Sequence, residues 1–91
     1  MLYVTAIRMT GHGTGHEHIA SLQWTDTADG SSGSSSTTAT MVDWIQNMHG
    51  VAKVKNGSTD VSVGIVHAWP KYLRTHADGV WTDNLLALPR F

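Results

Sequence analysis

Cysteine is absent from these 91 residues, so neither a disulfide nor a thiolate metal site can hold the fold together. Charge is sparse as well: 14% of residues are charged, against about 25% in typical soluble domains. The six Lys and Arg residues are scattered and the net charge is -1. That excludes a non-specific nucleic-acid binder, whose affinity comes from clustered cationic contacts to phosphates. Glu17 is the only glutamate, so a carboxylate pair would have to draw on it and the six aspartates. No serine occupies a nucleophile elbow. The chain therefore reads more readily as a binder than as an enzyme, with no catalytic residue, cofactor or metal assigned.

Long apolar runs are missing too, and none is long enough to span a bilayer. The opening Met1-Leu2-Tyr3-Val4 carries no basic segment of the kind that begins a signal peptide. A cytoplasmic protein is expected. A chain of this length forms one domain, and it buries only about 60–65% of the surface exposed by its unfolded form. Good packing, a ligand or a partner subunit must supply the remaining stability. The thinly charged surface leaves room for a buried interface, so a homo-oligomer is the expectation.

What is present organises into alternating elements. Residues 2–9 include Val4, Ile7 and Met9 and read as a first strand. Thr10 to Gly15 is a glycine-rich connection. From His18 to Thr25 a period of two places Ala20, Leu22 and Trp24 on one face of a second strand, paired with the first as an antiparallel hairpin. Residues 26–38, dominated by Ser, Gly and Thr, bury no apolar area and predict a flexible surface loop.

A helix follows, with Thr40 as N-cap, Asp43 three residues later and Gly50 beyond its end. Met41, Trp44, Ile45 and Met48 form one apolar stripe. A helix this short cannot stand alone, so the stripe must pack on a sheet. Val51–Lys55 and Thr59–Ala68 bracket Asn56-Gly57, a tight hairpin turn. Val61, Val63 and Ile65 share a face with His67. Trp69-Pro70 ends that pattern. Tyr72-Leu73-Arg74-Thr75 then reads as a short strand, turned by Ala77-Asp78-Gly79 into Val80-Trp81-Thr82. The expected fold is α+β: an antiparallel sheet of four to six strands with one amphipathic helix on it, ordered β-β-α-β-β plus a C-terminal hairpin or strap.

Three groups of residues invite a chemical reading. Gly11-His12-Gly13-Thr14-Gly15-His16 looks like a phosphate loop, yet its spacing and the strand that follows fit neither the dinucleotide fingerprint nor the P-loop. His16 and His18, side by side on a strand about 6.5–7 Å apart, could share a metal ion with His12, His67 or His76. That spacing is weak evidence, and solvent-facing histidines are the simpler reading. In the C-terminal stretch, Arg74 can grip a phosphate or carboxylate in two places, Trp81 offers a stacking face and Asn84 could read a base edge. Asp83, Thr75, Tyr72 and His16 complete the candidate ligand site. The competing reading pairs Arg74 with Asp78 or Asp83, buries Trp81 and makes Leu85, Leu86 and Leu88 an apolar strap.

The segments Tyr3-Val4-Thr5-Ala6-Ile7-Arg8-Met9, His16-Glu17-His18-Ile19, Leu22-x-Trp24, Tyr72-x-Arg74-Thr75, Asp78-Gly79 and Asp83-Asn84-Leu85-Leu86-x-Leu88-Pro89 together resemble a family of small bacterial and phage proteins. It is the domain of unknown function family number three-eight-nine-two. The likeness spans nearly the whole chain, with the Ser-rich segment as its departure. It implies a compact stand-alone domain and brings no reaction or ligand with it. The functional expectation is a small non-enzymatic binding protein that sequesters a nucleotide-derived signal, as in phage counter-defence, by analogy alone. The alternatives are a protein-interaction module or inhibitor of a host protein, and a histidine-metal hydrolase.

Overall fold

The computed structural model describes residues 2–11, 13, 15–26, 33–56, 59–77 and 79–91, with the side chains of Asn56 and Thr59 excepted. Seven strands and one α-helix are formed: β1 (Leu2–Met9), β2 (Ile19–Thr25), β3 (Ser34–Thr37), α1 (Thr38–Asn47), β4 (Ala52–Asn56), β5 (Thr59–Val66), β6 (Tyr72–Ala77) and β7 (Val80–Thr82). A single 3-10 turn, His16–His18, precedes β2. The strands make one sheet in the order β3-β2-β1-β4-β5-β6-β7.

The α+β class with one helix is as expected, but the sheet is mixed and seven-stranded rather than antiparallel with four to six strands. The helix explains the mixture. Leaving the outer strand β3, α1 carries the chain across the sheet face. It sets β4 down parallel to β1 through Leu2↔Ala52 and Tyr3↔Lys53. Every other pair of strands is antiparallel. The extra strand is β3, within the Ser-rich stretch that reads as loop. Ser34–Thr37 pair with Trp24–Ser21 along the edge of β2, because backbone groups make the ladder whatever the side chain. Residues 27–32 of that stretch lie outside the described residues, as do His12, Gly57 and Asp78.

Two register shifts interrupt the β1–β2 hairpin, between Val4 and Ala6 and between Arg8 and Met9. Each inserts one extra residue and rotates the following side chains to the other face. Simple alternation in β2 therefore fails. Ile19 and Leu22 enter the core, while Ala20, expected beside Leu22, is only half-buried. In β5, Val61 and Val63 are buried and Ile65 packs against the core, but the strand ends at Val66 and His67 is exposed.

The helix begins earlier than its sequence signals suggest. Thr37 is the N-cap, its Oγ1 accepting the N–H of Thr40 at 3.2 Å. Met41 and Val42 are buried, with Trp44 and Ile45 packed partly against the core. Met48, the last member of the expected stripe, is 69% exposed. It is the C-cap, at φ -115° and ψ 9°, so the helical spacing stops before reaching it. The face of α1 meets β2, β3, β5 and β6. Beneath it lie Val4, Ile7, Leu22, Ala52, Val54, Val63 and Leu73.

The chain finishes as a strap across the sheet. Leu85 is fully buried, and Leu86 and Leu88 pack against the same core. Beyond the two pairs that β1 makes with β4, the end of the chain takes over that edge. Ile7 donates its N–H to Pro89 O at 2.9 Å, and Phe91 donates to Ile7 O at 3.1 Å.

Candidate functional site

Alternation along β6 sorts the C-terminal signature into two roles. Leu73 and Thr75 point inward and are fully buried, whereas Tyr72, Arg74 and His76 share the opposite face and are half-buried. The β6–β7 register pairs Thr75 with Thr82 and His76 with Trp81. Trp81 thus shares the face of Arg74 and His76. Its ring meets His76 edge-on at 5.5 Å and 82°, and it remains 42% exposed. Both rings lean over Gly64, where a Cβ would stand 2.9 Å from His76 Cδ2 and 3.3 Å from Trp81 Cζ3. Gly64 lies opposite Arg74 on β5. Only a residue without a side chain allows this close approach.

The hydroxyls form a directed chain. Thr82 Oγ1 donates to Asn84 Oδ1 at 2.7 Å. A hydroxyl has a single proton, so Thr75 Oγ1 is the donor in its 2.7 Å contact with Thr82 Oγ1. Thr75 Oγ1 also lies 3.2 Å from Thr82 O, and Arg74 Nε donates to that same carbonyl at 3.1 Å. These bonds tie β6 to the start of the strap and satisfy a hydroxyl that is fully buried.

Arg74 has a second partner. Its Nη2 donates to Asp83 Oδ1 at 2.9 Å. Asp83 is 74% exposed in its side chain and Arg74 31%, so solvent screens this pair. The 3-10 turn in the β1–β2 connection packs against β6 and brings His16 to the same place. His16 is 93% buried by its 7% residual exposure. Its Nε2 lies 3.9 Å from Asp83 Oδ1, too far for a hydrogen bond, and it has no hydrogen-bond partner among the described residues. Burial lowers the imidazole pKa below 6.5 and Arg74 lowers it further, while Asp83 and Glu17 pull it upward.

The expected residues thus divide. Arg74, Asp83 and His16 meet at one corner of the sheet, and Trp81 lies on the Arg74 face beside His76. Thr75 and the carboxamide oxygen of Asn84 are spent on internal bonds. Tyr72 stands at the start of β6, on the Arg74 face and paired with Val66. Of the competing reading, the Arg74–Asp83 pair and the leucine strap are present, but Trp81 is not in the core.

His16 and His18 do not lie on a strand as expected. They flank Glu17 on the 3-10 turn, where His18 Nδ1 accepts the N–H of Gly15 at 3.2 Å. The turn is possible because Gly13 has no Cβ, which would fall 2.2 Å from the His18 ring. Among the described residues no three His, Asp or Glu side chains converge as a metal site.

Thr82 and His76 are the participants that sequence reading passes over as ligand-site members. Counting outward from the turn signal of the Asp78-Gly79 dipeptide sets Ala77 against Val80 and hence Thr75 against Thr82, as the register shows. Two hollows lie elsewhere. One, of about 230 Å³, is lined by Leu2, Trp24, Ser36, Thr40, Met41 and Trp44. The other, of about 340 Å³, lies between α1 and Trp69-Pro70-Lys71.

Fold and corner together define a small α+β domain with a curled mixed sheet closed by a C-terminal strap. Its residues 3–89 match the family described as Protein of unknown function (DUF3892), and the chain belongs to that family. No curated protein and no solved structure matches it. No helix among the described residues is long and apolar enough to cross a membrane.

Proposed function

We propose that this domain is a non-catalytic binding protein holding an anionic, ring-bearing small molecule of the nucleotide class at the corner of His16, Arg74 and Asp83, with Trp81 on the Arg74 face. One observation carries the reading: among the described residues the buried His16 Nε2 has no hydrogen-bond partner, and it faces an arginine whose side-chain partner there is an exposed carboxylate. A buried polar atom left unmatched costs free energy that a ligand can recover. Asp83 can swing into solvent, freeing Nη2 of Arg74 for an oxyanion. Trp81 presents a partly open ring on the same face for a base to stack on. Asn84 Oδ1 already accepts from Thr82, so a base would be read chiefly by the donors on its Nδ2.

Isothermal titration with adenosine and guanosine monophosphates and their cyclic forms tests this. Binding of at least one of these in the micromolar to millimolar range is expected. Trp81→Ala should weaken it roughly tenfold, in line with about 1–3 kcal/mol for one stacking contact. No heat at millimolar ligand, or equal affinity in Trp81→Ala, overturns the reading.

A protein-partner role has one observation in its favour. Trp69 is 96% exposed, and a tryptophan so placed is the residue type that anchors interfaces. Sedimentation of wild type and Trp69→Ala tests self-association: a smaller species in the variant favours an interface there, and an unchanged mass removes it.

A further inference from the structure

The geometry points to a phosphomonoester as the ligand class, bound with uptake of one proton by His16. This rests on the binding reading above and specifies it. Asp83 Oδ1 approaches both nitrogens of the corner, 2.9 Å from Arg74 Nη2 but 3.9 Å from His16 Nε2, so it bonds only the first. A tetrahedral oxyanion has several oxygens and can give one to the guanidinium and another to the imidazole. Asp83, with 74% of its side chain exposed, can turn out to solvent to admit it.

Charge then selects the ligand. Among the described residues, the charged groups acting on His16 are Arg74 on β6, Asp83 after β7 and Glu17 on its own turn, one positive and two negative. With burial added, this balance leaves the imidazole neutral near pH 7 in the free protein. A carboxylate or phosphodiester displacing Asp83 exchanges one negative charge for another and leaves the balance as it was. A phosphomonoester dianion brings a second negative charge into contact with a buried imidazole. The charged form of His16 then gains a partner, and Nε2–H donates to the phosphoryl oxygen. The proton comes from solvent, and no covalent bond changes.

The sign of the linkage follows. A ligand that favours imidazolium binds more tightly as pH falls, by up to about tenfold per pH unit between the free and bound pKa values of His16. Sulfate is the discriminating probe, because it stays dianionic throughout and contributes no proton of its own. Sulfate and inorganic phosphate are titrated into the wild-type protein from pH 5.5 to 8, in buffers of differing ionisation enthalpy. The same series is run with adenosine monophosphate, its 3′,5′-cyclic form and acetate.

Expected are sulfate affinity rising as pH falls, uptake of up to one proton, and little binding of acetate or the cyclic diester. In wild type, the His16 ring-proton resonances followed by NMR should titrate at higher pH when sulfate is present. His16→Asn should flatten the pH dependence, and the NMR titration gives the answer even if that variant folds poorly. Mononucleotide binding with no proton uptake, or with the cyclic diester equal to the monoester, overturns this inference while leaving the binding reading intact. No binding of any nucleotide or oxyanion overturns both.

Discussion

The two ends of the sheet solve opposite problems. At the β3 end the edge strand carries only serine and threonine, while Trp24 and Trp44 line an apolar hollow beside it. Trp24 makes its one polar contact there, donating from Nε1 to Ser36 Oγ at 3.0 Å. At the β7 end, hydrogen-bonding side chains crowd together, and most of them are consumed in holding the strap. Polar density alone is therefore a poor guide to a site. What marks the β7 end is a buried nitrogen, His16 Nε2, that has no partner among the described residues once the threonine hydroxyls beside it are accounted for.

The sharpest break of that contrast is Leu85→Ala. Leu85 is fully buried under the corner, and its truncation should cost about 2–5 kcal/mol, read as a fall in the urea midpoint. A loss below about 1 kcal/mol would mean the strap is not held by its apolar side. Thr75→Val comes next. It keeps the shape but removes the donor to Thr82 Oγ1, at about 1–3 kcal/mol, while Thr82 O keeps the bond from Arg74 Nε. At the opposite end, Trp24→Phe removes one hydrogen bond to Ser36 and should cost about 0.5–1.5 kcal/mol by the same measurement. If it costs more than Thr75→Val, the two ends have been ranked the wrong way round.

Acidity probes the β7 end alone. The folded protein holds the His16 pKa below 6.5, so below pH 6.5 the unfolded chain binds the proton more readily. The contribution is full above that pH and declines as pH falls towards the folded value. His16→Gln should remove this slope from denaturation curves between pH 5 and 7.5. Sulfate should reduce it in wild type by stabilising the protonated folded form. The smallest effect belongs to Met48→Ser, within about 0.5 kcal/mol, since that side chain lies outside the helical stripe and in solvent.

Much of this architecture is legible in the residues. Helix α1, the break at Trp69-Pro70, the β6–β7 hairpin and the leucine strap follow from periodicity and turn chemistry. The parallel β1–β4 contact does not, because nothing local distinguishes a strand that returns beside its neighbour from one that crosses under a helix. Strand β3 is hidden for a related reason: its serines carry no hydrophobic pattern, and only the exposed edge of β2 gives them a ladder to join. At the site, the residue types of Arg74, Trp81 and Asp83 are readable as candidates. The spending of Thr75 and Asn84 depends on register. The burial of His16 depends on a long-range approach between the β1–β2 connection and β6, which no spacing encodes.

The strap that completes β1 also sets a condition on how the domain is made. Arg8 Nε bonds Phe91 O across 83 residues of sequence, and Ile7 forms its bridge with Arg90. On the ribosome, the first strand to emerge must keep one edge unpaired while nearly all the rest of the domain is synthesised. Contacts of such separation form late, and an open strand edge in the interval invites pairing with another chain. Residues 89–91 thus cover an edge that β1 has exposed since it was made. A chain halted before residue 89 would present every element of the sheet and still leave that edge bare.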